Sequence, residues 1–123
     1  MEVGITDQAP EGLECYREKN EVLIDGVMIP GLVASYFKKY IGPHTITMGV
    51  YRTRAGKNIF RSWGVMEDER CCRFHQIADS NGEWLPSIPG SPSVAPYDEG
   101  GKVLGLQIEV SGTLRIFKIE AGA

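Results

Sequence analysis

Leu32-Val33-Ala34-Ser35-Tyr36-Phe37-Lys38-Lys39-Tyr40-Ile41-Gly42-Pro43 is the stretch on which the fold class turns. Leu32, Val33, Tyr36, Phe37, Tyr40 and Ile41 recur at steps of three and four, the period of an α-helix. Pro30 stands just ahead, where a helix start accommodates it, and Gly42-Pro43 follows as a stop. Lys38 and Lys39 fall near the end, where cations suit the helix dipole. The spacing predicts one short helix over Gly31–Ile41, with Tyr36, Phe37 and Tyr40 as a stripe on the core.

Everything on either side of that stretch reads as strand. Upstream, Val22-Leu23-Ile24 and Val27-Met28-Ile29 flank Asp25-Gly26. An Asp-Gly pair between apolar runs is a strong local hairpin signal. Leu13 to Glu18 reads as a preceding strand, and residues 1–12, ending in Ala9-Pro10-Glu11-Gly12, as a loose arm. Downstream, Thr45–Thr53 and Ile59–Met66 flank Arg54-Ala55-Gly56-Lys57. Arg70–Ala78 and Glu83–Ile88 flank Asp79-Ser80-Asn81-Gly82, and Lys102–Val110 and Thr113–Glu120 flank Ser111-Gly112. In the last run Leu114 and Ile116 face one way and Phe117 and Ile119 the other, which predicts a strand inside its sheet.

The expectation is a mainly β fold in one domain spanning residues 1–123, a sandwich or partly open barrel of about seven or eight strands built from hairpins, with one helix. The 15 Gly and 7 Pro support many turns. At 123 residues the chain has room for one core, and none for a TIM barrel, a kinase or a two-domain dehydrogenase. Residues 86–101 hold four of the seven prolines and read as one long Pro/Gly/Ser-rich loop. A loop of that length is expected to be a crossover between sheets or an arm reaching a second subunit.

Charge is unevenly spread. The net charge is −3, yet residues 36–75 carry eight bases against three acids. Seven of the aromatics fall in the same segment, among them Tyr51, Phe60, Trp63 and Phe74. Bases neutralise phosphates and aromatics stack on nucleobases, so a nucleic-acid or other polyanion partner using Arg52, Arg54, Lys57, Arg61 and Trp63 is one reading of this segment. The competing reading is a core of aromatics with bases on solvated strand faces, and no RNP-type motif tips the balance toward the first.

Cysteine chemistry is a further candidate. Cys71-Cys72-x-x-His75 brings thiols near an imidazole, a combination that serves in metal sites and nucleophilic catalysis. Zinc sites need two such pairs, and Cys15 and His44 stand alone. No phosphate-cradling glycine loop and no Gly-x-Ser-x-Gly elbow is present. The sequence therefore predicts no cofactor and no metal, and leans away from an enzyme. The start lacks a basic region followed by an apolar one, so no secretory signal is expected, nor a membrane partner; a cytoplasmic or virion-associated location follows.

The leading functional expectation is a non-enzymatic interaction or structural module that self-associates into a homo-oligomer or docks on a protein partner. Ile88, Val94 and Tyr97 in the proline-rich segment are its expected apolar anchors. Successive hairpins with Pro-Gly kinks are common in small viral, phage and bacterial assembly components, and such a component is the expected kind of protein.

Overall fold

The computed structural model describes residues 8–67, 70–88 and 90–119. Among these described residues it is mainly β, with ten strands in three sheets, no closed barrel and no helix. The strands are β1 (Glu14–Lys19), β2 (Leu23–Ile24), β3 (Val27–Met28), β4 (Leu32–Ile41), β5 (His44–Thr53), β6 (Asn58–Glu67), β7 (Arg70–Ile77), β8 (Ser93–Glu99), β9 (Lys102–Val110) and β10 (Thr113–Lys118). The large sheet runs β1-β4-β5-β6-β7, the small one β10-β9-β8, and β2-β3 form a ribbon.

The stretch read as a helix is β4, a ten-residue strand paired along its whole length with β5. The correction has a physical cause. Its apolar residues come in adjacent pairs, and a neighbouring pair on a strand puts one side chain on each face. Both faces of this sheet bury side chains. Leu32, Ala34 and Tyr36 lie on the face toward the core, and Val33, Ser35 and Phe37 on the other. Doublets three and four residues apart therefore satisfy a two-sided strand as well as a helix. The predicted aromatic stripe does not exist: Tyr36 and Phe37 are on opposite faces and Tyr40 is 66% exposed. Gly42-Pro43 is a two-residue hairpin turn between Ile41 and His44, with Gly42 at φ 57°. That pairing of a left-handed glycine with a following proline matches the type II′ turn favoured between twisted strands.

The other turns follow their local chemistry. Asp25 and Gly26 both have positive φ (51° and 78°), as do Ser111 and Gly112 (50° and 82°), the signature of type I′ hairpins. At Asp79–Glu83 the Asp79 carboxylate accepts the Asn81 N–H (2.9 Å) and the Glu83 N–H (3.0 Å), closing the turn between β7 and the segment that follows.

The core lies between the large and the small sheet. Leu32, Ala34, Phe60 and Ile77 meet Leu106, Ile108 and Val110, with Val22, Ile29 and Ile119 closing it. Several of these side chains are wholly buried. Gly105 in β9 is required by this packing, because a Cβ there would overlap the Phe117 carbonyl of β10.

Three further expectations change. Residues 86–101 are not one loop, since Ser93–Glu99 is β8. The predicted strand Glu83–Ile88 is reduced to isolated bridges, Ala78 with Trp84 and His75 with Ile88. Here Pro86 removes the N–H that a continuous ladder needs. β10 is also not inside its sheet: it lies at an edge.

Candidate functional site

On the face of the large sheet turned away from the shared core, two arginines are held in the same unusual way. Arg52, near the end of β5, donates its Nε–H to the Asn58 Oδ1 at 2.8 Å, and Asn58 donates its Nδ2–H to the Gly82 carbonyl at 3.0 Å. Arg61 on β6 donates its Nε–H to the Gln76 Oε1 at 2.8 Å, and Gln76 donates its Nε2–H to the Leu85 carbonyl at 3.0 Å. Each guanidinium is thus anchored through a neutral carboxamide to the backbone of residues 82–85. Strand register explains the geometry: Arg52 lies opposite Asn58 and Arg61 opposite Gln76.

Aromatic rings restrain Arg61 further. Its guanidinium carbon sits 4.2 Å from the Trp84 ring centre and 5.6 Å from that of Trp63. Trp63 is stacked on Phe74 with centroids 5.8 Å apart and is 3% exposed. Burial, and then repulsion from Arg52, hold the Arg61 guanidinium below its ordinary value. Among the described residues neither arginine has a carboxylate within ion-pair distance.

The structure therefore brings together Arg52 and Arg61 out of the basic group predicted from sequence. Arg54 and Lys57 stay at the adjoining turn, exposed, with the Arg54 amide bonded to the Gly31 carbonyl. Trp63 is too buried to stack on a nucleobase. Ile88 and Val94 pack against the chain's own core, and Tyr97 is half-buried on the outer face of the small sheet. The backbone of Cys71 and Cys72 belongs to β7; their side chains lie outside the described residues. His75 stacks on Phe60 with centroids 5.9 Å apart. No group of three His, Cys, Asp or Glu among the described residues is placed to hold a metal, and no described helix is long and apolar enough to cross a membrane.

Sequence reasoning missed the roles of Asn58, Gln76 and Trp84. Nothing local marks these roles, because each residue acquires its partners only through strand pairing and the return of residues 82–85 along β7. It also missed the outer edge of β10. Ile119 N–H donates to the Leu104 carbonyl at 2.8 Å, which fixes the ladder between β9 and β10. In that ladder residues 113, 115 and 117 turn their backbone groups toward β9. Leu114, Ile116 and Lys118 turn theirs to the open side, and no described strand meets them. Leu114 is 52% and Ile116 46% exposed.

Comparison with protein-family models, with curated proteins and with solved structures finds no significant match to this chain.

Proposed function

We propose that the protein is a non-enzymatic interaction module that self-associates through the outer edge of β10. The observation that carries this reading is the state of the four edges of the two larger sheets. β1 is charged and interrupted by a bulge at Cys15/Arg17. β7 is covered by residues 84–88. β8 contains Pro96 and a bulge at Tyr97/Asp98. Proline, charge and bulges are the devices by which edges avoid pairing. β10 has no proline and an unbroken register, and it exposes two large apolar side chains.

A second copy fits this edge best about a two-fold axis at Ile116. Two copies of β10 run antiparallel there, with Ile116 opposite its own counterpart, Leu114 opposite Lys118, and Arg115 opposite Phe117. An axis at Arg115 sets two guanidiniums face to face, which like-charge repulsion disfavours. The first register also uses every outward backbone group of Leu114 and Ile116. An isologous dimer of this kind closes on itself and joins two small sheets into one of six strands.

The test is mass in solution by light scattering or sedimentation equilibrium. The parent chain is expected to form a dimer in the micromolar range, and Ile116→Lys to be monomeric with an unchanged circular dichroism spectrum. A parent that stays monomeric across that range overturns the reading, and so does an Ile116→Lys variant that dimerises like the parent.

A further inference from the structure

We propose that Arg52 and Arg61 together form a binding site for a phosphate group. This inference is independent of self-association, since these residues lie on the large sheet and β10 on the small one.

A guanidinium has five N–H donors. In both residues the Nε–H is spent on a neutral carboxamide, Asn58 or Gln76, and no hydrogen bond within the described structure takes the terminal Nη donors. An arginine serving only the protein's own stability is usually paired with a carboxylate, and among the described residues neither of these is. Two positive charges instead stand as neighbours on one face, near enough for Arg52 to disfavour the charge on Arg61. An oxyanion between them removes that repulsion.

The site is also built in advance. Asn58 and Gln76 cannot rotate away without releasing the Gly82 and Leu85 carbonyls. Trp84 lies against the Arg61 guanidinium and fixes its plane. Holding donors before the ligand arrives lowers the entropic cost of binding. Guanidinium forks match planar pairs of oxygens, which is why arginine and not lysine is used where phosphate recognition depends on geometry. One carboxylate offers two oxygens and is filled by a single fork. A phosphate group has enough oxygens for two forks approaching from separate strands, and its second charge balances the second arginine. Arg54 and Lys57 on the neighbouring turn add long-range attraction.

A chain of net charge −3 repels an extended polyanion, and two fixed arginines suit one phosphate group rather than a backbone of many. A free phosphate monoester carries both charges, whereas the diester unit of a polynucleotide carries one charge and two free oxygens, and the experiment separates the two sources. The full chain is titrated calorimetrically with inorganic phosphate at low salt, with sodium chloride of equal ionic strength as the blank. Binding at or below about millimolar is expected. Arg52→Gln and Arg61→Gln should each weaken it by about tenfold or more, as loss of a charge-assisted fork does. Arg17→Gln, on the exposed strand β1, should leave it unchanged. Arg61→Gln also loses its contact with Trp84, so its fold is checked by near-ultraviolet circular dichroism. Arg52→Gln, which has no ring contact, carries the reading by itself. A single-stranded oligonucleotide then replaces phosphate: tighter binding with a steep salt dependence assigns the site to a polynucleotide, and equal affinity per phosphate assigns it to a free ester. No binding to millimolar phosphate, or equal binding by the parent and Arg52→Gln, overturns the proposal.

Discussion

The edges of β7 and β10 present opposite answers to the same problem. Any strand at the end of a sheet offers a row of unpaired N–H and C=O groups to another chain. At β7 the protein answers with its own backbone: Leu85 N–H reaches the Ile77 carbonyl at 3.0 Å and Ile88 N–H the His75 carbonyl at 2.9 Å. Pro86, between them, has no donor to pass on to a further strand. At β10 no such cover exists among the described residues, and two apolar side chains stand beside the open groups. The start of a proline-rich segment expected to be a crossover or an arm therefore turns inward with residues 84 and 85 to close one edge, and Gly82 and Leu85, just ahead of that segment, supply the carbonyls that anchor Asn58 and Gln76. The proposed outward reach falls to β10, a strand that sequence alone places inside its sheet.

The most damaging way to break this contrast is to lift β10 from β9. Gly105→Ala places a methyl group where the Phe117 carbonyl already sits, and the obstacle is backbone with no rotamer to escape into. The expected loss is about 3 kcal/mol, at the upper end for overpacking, read from chemical denaturation. The same variant should lose dimerisation, because the edge it disturbs is the proposed interface. A variant as stable as the parent would show that β10 is not seated as described.

Unseating the covered edge comes next. Trp84 bridges Ala78, just past β7, and lies on Arg61, so Trp84→Ala removes the ring and loosens the lid while leaving its backbone bonds possible. It is half-buried, so about 2 kcal/mol is expected, below the range for a fully buried Trp. The informative readout is association: with its lid loosened, β7 becomes a second open edge, and assemblies larger than a dimer should form. If the variant remains dimeric, the lid holds without its tryptophan.

Ile116→Lys should act in the reverse proportion. Its side chain is already 46% exposed, so monomer stability is expected to change by no more than about 0.5 kcal/mol, in the range for surface substitutions. Its effect belongs to assembly. A large loss of stability at low concentration would show that Ile116 supports the monomer's own packing.

How much of this the sequence discloses depends on how local the cause is. The hairpins at Asp25-Gly26 and Ser111-Gly112 are legible because positive φ is a requirement two residues meet by themselves. β9 is legible to its ends, since Gly100-Gly101 and Ser111-Gly112 bracket it. β4 is not, because its doublets fit two periods, and only the burial of both sheet faces decides between them. β10 misleads for a related reason. Apolar residues on both faces signal an interior strand when the outer face is covered, yet Leu114 and Ile116 face solvent. Of the candidate site, Arg52 and Arg61 are visible as residues while their carboxamide anchors are not. Asn58 and Gln76 are ordinary polar residues until strand register and the return of residues 82–85 put a guanidinium on one side of each and a carbonyl on the other.

The gentlest probe of the covered edge is protonation. His75 lies on β7, and its own carbonyl receives the Ile88 N–H. Its ring stacks on Phe60, and its buried Nδ1 has no hydrogen-bond partner among the described residues. Burial first, and then the nearby Arg73 charge, push its pKa below the ordinary 6.5 of histidine. In the unfolded chain the imidazole takes up its proton near that ordinary value, so between the two pKa values the unfolded state binds more protons than the folded one. Stability therefore rises with pH across this window, is fully present above about 6.5, and falls as the pH drops toward the folded value. Denaturation midpoints measured from pH 7.5 down to 5 should decline for the parent chain. In His75→Gln, which keeps a polar ring-sized group without a titrating nitrogen, that part of the slope should vanish. Arg73→Gln is expected to lessen the slope by removing the second cause and leaving the first. Equal slopes in the parent and His75→Gln would mean that groups elsewhere in the chain govern the acid limb, and that the strand under the lid carries no charge-sensitive group.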